Sequence, residues 1–188
     1  MTSHHSSLIT HHSSLAQRCA AIELLILDVD GVLTDGGIVY ADNGVELKQF
    51  HVRDGSGLKI WEYVGKSSAI ITGRTSKLVE VRAAEVGIGM VVQGATEKMP
   101  PYREILQKTD LRPKQTCFIG DDIPDLGVLR NCGLAVAVAD ACPEVIAAAH
   151  YVTNAVGGRG AVREVIELIL HCQGQWQKIV DRFGNQTL

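Results

Sequence analysis

Six short apolar runs, each separated from the next by a stretch of different character, limit the folds open to this chain more than any other feature. The runs fall at 22–29, 67–72, 89–93, 115–120, 134–138 and 150–153, and amphipathic segments at 56–64, 75–86, 99–109, 123–131 and 142–149 lie between them. Short apolar runs of this kind read as strands buried on both faces, and strands alternating with helices are joined in parallel by crossovers. The expected fold is α/β, a Rossmann-like three-layer α/β/α arrangement around a central parallel sheet. One stretch breaks the alternation. In GIVYADNGVELKQFHV, residues 37–52, two alternating segments flank Asp42-Asn43-Gly44, which is suited to a tight turn, so a β-hairpin is expected after the first strand.

The 188 residues and 46% hydrophobic content suffice for one domain with a substantial core. A net charge of −3, with basic residues scattered among acidic ones, gives no cationic stripe and argues against nucleic acid as a partner. The five cysteines, Cys19, Cys117, Cys132, Cys142 and Cys172, form no CxxC pair and read as reduced thiols in a cytoplasmic protein. No apolar run approaches the ~20 residues of a membrane span, and no basic region followed by a hydrophobic one marks a secretory signal. Residues 1–20, in which HHSSL occurs at 4–8 and again at 11–15, read as a disordered leader, and 21–188 as a single domain with a helical tail. That tail, AVREVIELILHCQGQWQKIVDRF, is apolar at helical spacing with a break expected at Gln173-Gly174. It either folds back on its own sheet or packs against another subunit.

The first run ends in LLILDVDGVLTDGG, with Asp28, Asp30 and Gly31 where the strand stops. One Asp after a strand can simply make an Asx turn or cap a helix. Here other strand ends carry chemistry too: IITGR brings Thr72, IGDDIPD brings Asp121, Asp122 and Asp125, and Lys98 begins a helix after GATE. In an open parallel sheet these carboxyl ends form one edge, where ligands bind. Carboxylates from two strands repel unless a cation lies between them, and oxygen-only ligands favour Mg²⁺. A lysine and a threonine hydroxyl beside them suit a phosphoryl group, and Gly31 lets backbone N–H groups approach it.

DVDGVLT, ITGR, Lys98 and GDDIPD, in this order and spacing, resemble the four motifs of the haloacid dehalogenase superfamily over about residues 22–170. The resemblance implies that Asp28 is a nucleophile forming an aspartyl-phosphate. It makes Asp30 the general acid and then base, Thr72 a phosphoryl ligand, and Lys98 a group that neutralises phosphate and orients Asp28. Mg²⁺ would be held by the Asp28 carboxylate, the Asp30 backbone carbonyl and Asp121. Asp122 and Asp125 would support the site or cap a helix. Superfamily ATPases that pump ions carry threonine at the second position, so Asp30 favours a phosphatase or a mutase.

Only 25 residues separate Thr72 from Lys98, which leaves no room for a cap domain, and mutases of the superfamily generally rely on a cap to exclude water. DGGIVYADNGVELKQFHVRDGSGLK, with GGRGAVREV at 157–165, resembles the 3-deoxy-D-manno-octulosonate 8-phosphate phosphatases, capless tetramers whose hairpins meet centrally and cover a neighbour's active site. That implies a small sugar-acid phosphate as substrate. Arg53, Asp54, Arg74 and Arg159 are the candidate substrate-binding residues, the arginines because guanidinium forks suit carboxylate and phosphate. Two rivals stay open: a sister phosphatase for a nine-carbon keto acid such as 2-keto-3-deoxynononate 9-phosphate, and a noncatalytic oligomerisation module. The costly carboxylate cluster argues against the module.

Overall fold

The computed structural model describes residues 14–185. All six apolar runs form strands: β1 (Leu24–Leu27), then β4 (Ser67–Ile71), β5 (Met90–Val92), β6 (Thr116–Gly120), β7 (Leu134–Ala137) and β8 (Tyr151–Val152). They pair in parallel in the order β5-β4-β1-β6-β7-β8. The central strand β1 holds Leu25 opposite Ser68 on one side and Cys117 on the other, and all four of its residues are buried. The expected hairpin is present as β2 (Val39–Tyr40) and β3 (Glu46–Leu47), antiparallel with Val39 opposite Leu47 and Tyr40 opposite Glu46.

Eight helices complete the described chain: α1 (Leu15–Ala20), α2 (Val52–Tyr63), α3 (Lys77–Val86), α4 (Met99–Thr109), α5 (Leu126–Leu129), α6 (Pro143–Ala148), α7 (Ala161–Cys172) and α8 (Trp176–Gly184). The helices fall into two groups: α2 packs on α3 and α7, with α1 and α8 on α7, and α5 packs on α4 and α6, the two-sided cover that right-handed crossovers give this strand order. From β1 the chain winds outward through β4 and β5, then returns to the opposite side of β1 with β6. The order of winding therefore reverses between the carboxyl ends of β1 and β6, the crevice where open α/β sheets bind ligands. Between β4 and α4 lie only α3 and β5, so among the described residues no cap domain is inserted there.

Three local expectations change. Residues 1–13 of the expected leader lie outside the described residues, but Ser14–Ala20 is ordered as a capped helix. The Ser14 hydroxyl accepts from the Gln17 N–H, the Gln17 side chain accepts from the Ser14 N–H, and Cys19 is fully buried. Six residues are too few to display a period, and the stability of α1 comes from docking on α7, where the Gln173 amide donates to the carbonyls of Cys19 and Ile22. The second helix begins at Val52 rather than 56, because Asp54 in its first turn finds partners on α7 that no local pattern announces. The segment at 123–131 resolves into a 3-10 turn, Ile123–Asp125, followed by the single turn of α5.

The tail breaks at Gln173-Gly174 as expected. Its first half folds back on its own sheet, with Val162, Val165, Ile166 and Ile169 fully buried; in α8 Ile179 is buried while Val180 and Phe183 are exposed. The GGRG segment before α7 packs on the loop that follows β1. Gly158 donates its N–H to the Val32 carbonyl at 2.9 Å, and a β-carbon on Gly157 would lie 1.7 Å from the Gly31 oxygen. Gly157→Ala is therefore expected to force the two loops apart and to cost about 2 kcal/mol or more, read as a lowered urea midpoint. An unchanged midpoint would mean that the loops are not tightly apposed.

Candidate active site

β1 delivers Asp28 and β6 delivers Asp121 to the two sides of the winding reversal, because both side chains follow directly on strands held in register across the centre of the sheet. Lys98, at the start of α4, bridges Asp28 and Asp125. Its ammonium lies 2.7 Å from Asp28 Oδ2 and 2.5 Å from Asp125 Oδ1, with only 4% of the side chain exposed. Asp125 is wholly buried. Its second oxygen accepts from the Asp121 N–H at 2.9 Å and, more loosely, from that of Asp122, so this residue fixes both Lys98 and the turn carrying Asp121. Thr72, buried at the end of β4, completes the floor of an open cleft of about 390 Å³.

Gly31 sits at φ +88°, and a β-carbon there would come within 2.1 Å of Asp121 Oδ2. The backbone after β1 can thus lie directly against the Asp121 carboxylate only because position 31 has no side chain.

The electrostatics are those of crowded acids. Burial, with Asp125 adding to it and Lys98 opposing it, pushes the Asp28 carboxyl up to about 6. Burial followed by repulsion from Asp28 and Asp125 pushes Asp121 to about 7. Burial works against the Lys98 ammonium as well, yet Asp28 and Asp125 outweigh it and raise its pKa. One oxygen from each of Asp28, Asp121 and Asp125 can be chosen so that all three lie within 4.8 Å of one another, and Asp121 Oδ1 is buried without a hydrogen-bond partner. An orphaned carboxylate oxygen beside a second acid fits a divalent cation. Asp121 would supply its orphaned oxygen and Asp28 a second side-chain ligand, although the Asp28 oxygens already take the Val29 N–H and the Lys98 ammonium; both Asp125 oxygens are tied to Lys98 and to the turn carrying Asp121.

The remaining sequence-predicted residues separate into two groups. Asp30 and Arg74 line the same cleft. The Asp30 carboxylate turns away from the other acids: Oδ1 pairs with Lys48 and Oδ2 lies 3.8 Å from Arg74 Nε. That orientation agrees with a metal contact through its backbone rather than its side chain. Arg53, Asp54 and Arg159 do not reach the cleft. Arg53 and Arg159 flank a separate recess near the start of α7, where Arg159 faces Asp35 at 3.5 Å. Asp54 is 1% exposed and accepts the N–H groups of Gly160 and Arg163, which makes it a cap for the amino end of α7.

Sequence reasoning missed the contribution of the hairpin to its own cleft. Tyr40, Glu46 and Lys48 face Arg74 and Asp30, and Arg74 Nη2 donates to Glu46 Oε1 at 2.8 Å. The signal was present in the alternation Val45-Glu46-Leu47-Lys48, which sends polar residues to one side and apolar ones to the other. Val39, Val45 and Leu47 remain about half exposed on that other side.

A parallel sheet with an acid nucleophile candidate, a buried lysine and a cation site at its winding reversal defines a carboxylate-based phosphohydrolase. The chain belongs to the haloacid dehalogenase-like hydrolases, whose family model matches residues 62–166. A curated relative, the 3-deoxy-D-manno-octulosonate 8-phosphate phosphatase KdsC of Yersinia pestis, is 50% identical over 157 residues, 84% of each chain. Within the hydrolases, the chain is thus a member of the 3-deoxy-D-manno-octulosonate 8-phosphate phosphatase family. The crystal structure of a Yersinia pestis phosphatase of this name superposes with a TM-score of 0.85 at 49% identity, covering 86% of this chain and 88% of the other. A Moraxella catarrhalis phosphatase of the same name, solved in complex with magnesium, phosphate and KDO, superposes with a TM-score of 0.88 at 40% identity, covering 89% of this chain and 97% of that one.

Because the cation ligands must be ionised and the Asp28 and Asp121 carboxyls titrate near 6 and 7, Mg²⁺ affinity should fall as the pH falls through that range. Calorimetric titration at pH 8 and pH 6 is expected to show a loss of roughly ten-fold or more. Equal affinities would place the cation elsewhere.

Proposed function

We propose that this chain is a Mg²⁺-dependent phosphatase that hydrolyses 3-deoxy-D-manno-octulosonate 8-phosphate to the free sugar acid and phosphate, a step toward the inner sugar of lipopolysaccharide. The observation that carries the reading is the placement of Asp28 between Lys98 and Asp121 at the winding reversal. The half-identical relatives supply the substrate.

Asp28 Oδ attacks phosphorus along the line of the leaving oxygen, and the phosphoryl group passes to the carboxylate as an aspartyl-phosphate. Lys98 keeps Asp28 aimed into the cleft and balances the charge of the phosphoryl oxygens, one of which the Thr72 hydroxyl binds. Mg²⁺, when bound by Asp28 and Asp121, shields the attacking anion from the phosphate charge. Asp30 gives its proton to the sugar alkoxide as the ester bond breaks, then takes one from the water that hydrolyses the intermediate, so the two half-reactions return it to its starting state. Arg74 lines the cleft, and its guanidinium, held by Glu46 and Asp30, is the cation there suited to an anionic group of the sugar acid.

Substrate selectivity calls for more cover than an open cleft provides. A homotetramer in which the hairpins meet through the exposed Val39, Val45 and Leu47 would provide it, and would place Arg53 and Arg159 to complete a neighbouring site. On this reading the chain from α1 onward acts as one catalytic domain in the cytoplasm, the helix before residue 21 being part of it rather than of a leader. The buried free thiols of Cys19, Cys117 and Cys132 are consistent with that compartment, and no described helix is long and apolar enough to cross a membrane.

Steady-state phosphate release with Mg²⁺ should favour the eight-carbon keto-sugar phosphate over the nine-carbon one and over simple sugar phosphates by about 100-fold in kcat/KM, or 2.7 kcal/mol of transition-state discrimination. A preference for the nine-carbon substrate would reassign it, and uniformly weak turnover would refute the substrate class while leaving the chemistry. Asp28→Asn should lower kcat by at least about 10⁴-fold in a folded protein; a near-normal rate would overturn the nucleophile. Sedimentation of the wild type should give a tetramer, and a monomer with full selectivity would refute the shared cover.

A further inference from the structure

Lys48 is an unusual lysine for a hairpin. Its side chain is 3% exposed although it follows a two-residue strand on an outlying element. Covering an ammonium and ordering its four-carbon stem both cost free energy, so such a lysine persists only where strong partners hold it. The partners here are Asp30 Oδ1, in direct ion-pair contact, and Glu46 Oε1 at 3.7 Å. Glu46 accepts from Arg74 at 2.8 Å, and Arg74 Nε approaches Asp30 Oδ2 at 3.8 Å, which closes a ring of alternating charges. Asp30 itself stands on the loop after β1, with 22% of its side chain exposed at the mouth of the cleft. Without the ring its carboxylate would be free to rotate toward solvent.

We propose that Lys48 is a positioning residue for Asp30, holding Oδ1 from the hairpin side so that Oδ2, which lies 3.8 Å from Arg74 Nε and beyond hydrogen-bond reach of it, is directed at the leaving oxygen of the substrate. This rests on the assignment of Asp30 as acid and base made above. The role does not depend on the charge state of Asp30, because an ammonium donates to the carbonyl oxygen of a neutral carboxyl as well as to a carboxylate. It also gives the hairpin a function in its own cleft that is separate from covering a substrate. Misdirecting an acid by an ångström costs as much as removing a good part of its contribution, since proton transfer requires hydrogen-bond reach to the reacting oxygen.

The leaving group discriminates this role from a structural one. An alkyl phosphate such as 3-deoxy-D-manno-octulosonate 8-phosphate needs a proton on the departing oxygen, whereas p-nitrophenyl phosphate departs as a stable anion and does not. Single-turnover cleavage would be measured for both substrates with the wild type, Lys48→Met, Lys48→Arg and Asp30→Asn, reading sugar release for the first substrate and the nitrophenolate burst for the second. Lys48→Met is expected to slow cleavage of the sugar phosphate roughly ten-fold or more while slowing the nitrophenolate burst by less than about three-fold, and Lys48→Arg to recover most of the loss. An equal fall on both substrates, or no fall on either, would overturn the positioning role. Asp30→Asn separates the two layers of the argument. If it shows the leaving-group dependence and Lys48→Met does not, only the role of Lys48 fails; if Asp30→Asn is indifferent to the leaving group, the assignment of Asp30 fails and the role of Lys48 with it.

Discussion

The buried ammonium of Lys98 holds the site together. Asp28, Asp121 and Asp125 arrive from two strand ends and a 3-10 turn, Asp28 and Asp125 buried and Asp121 partly so, and a single positive charge reaches two of them. Removing one partner from a buried ion pair typically costs 3–5 kcal/mol, because the other charge is left without compensation. Lys98 therefore does structural and chemical work with the same atoms. Yet one ammonium cannot neutralise three carboxylates: burial, with repulsion from the neighbouring acids added to it, raises the pKa of Asp28 and Asp121, and one Asp121 oxygen is left without a partner. The cluster carries more negative charge than Lys98 balances, and a divalent cation beside Asp121 is the partner whose charge would offset it.

The supporting structure is arranged to hold that imbalance still. Asp125 spends both oxygens on fixing Lys98 and the Asp121 turn, so it contributes rigidity rather than a free ligand. Gly31 brings backbone against Asp121 at a distance no side chain permits, and the glycines before α7 press on the same loop from the far side. Asp54 ties the start of α7 to α2 through two backbone N–H groups, which fixes the loop that bears on Gly31. Residues far from the chemistry thereby set the position of the first strand's exit, and a loosened contact between α2 and α7 would be felt at Asp28.

Much of this was legible in the sequence, and the parts that were not share a physical cause. The six strands were readable because a strand buried on both faces must be apolar throughout, so the signal is local. Asp28, Asp121 and Lys98 were readable because motif order in an open parallel sheet determines which loops meet. The capping role of Asp54 was not readable because its partners lie more than a hundred residues away; beside Arg53 it has the look of a surface charge, and only the amino end of α7 makes its burial possible. The short helix α1 was hidden for the same reason, since its stability is borrowed from α7. Lys48 is one of several lysines in composition, and its role appears only when the alternation along β3 is combined with the direction in which the hairpin folds.

That direction gives a two-strand element more influence than its size suggests. A hairpin with two residues in each strand is not stable alone and must be held by what it touches. On its polar side it is held by ion pairs to Arg74 and Asp30 at the mouth of the cleft; on its other side Val39, Val45 and Leu47 are left half exposed. Any surface that covers those apolar residues acts on the same short strands that carry Glu46 and Lys48. Covering one face of the hairpin would therefore restrict the other, and with it the ion pairs that hold Asp30. A separate cap domain would place cover and catalysis on different elements. Here one short insertion carries, on opposite sides of the same two strands, the ion pairs that hold Asp30 and a row of exposed apolar residues.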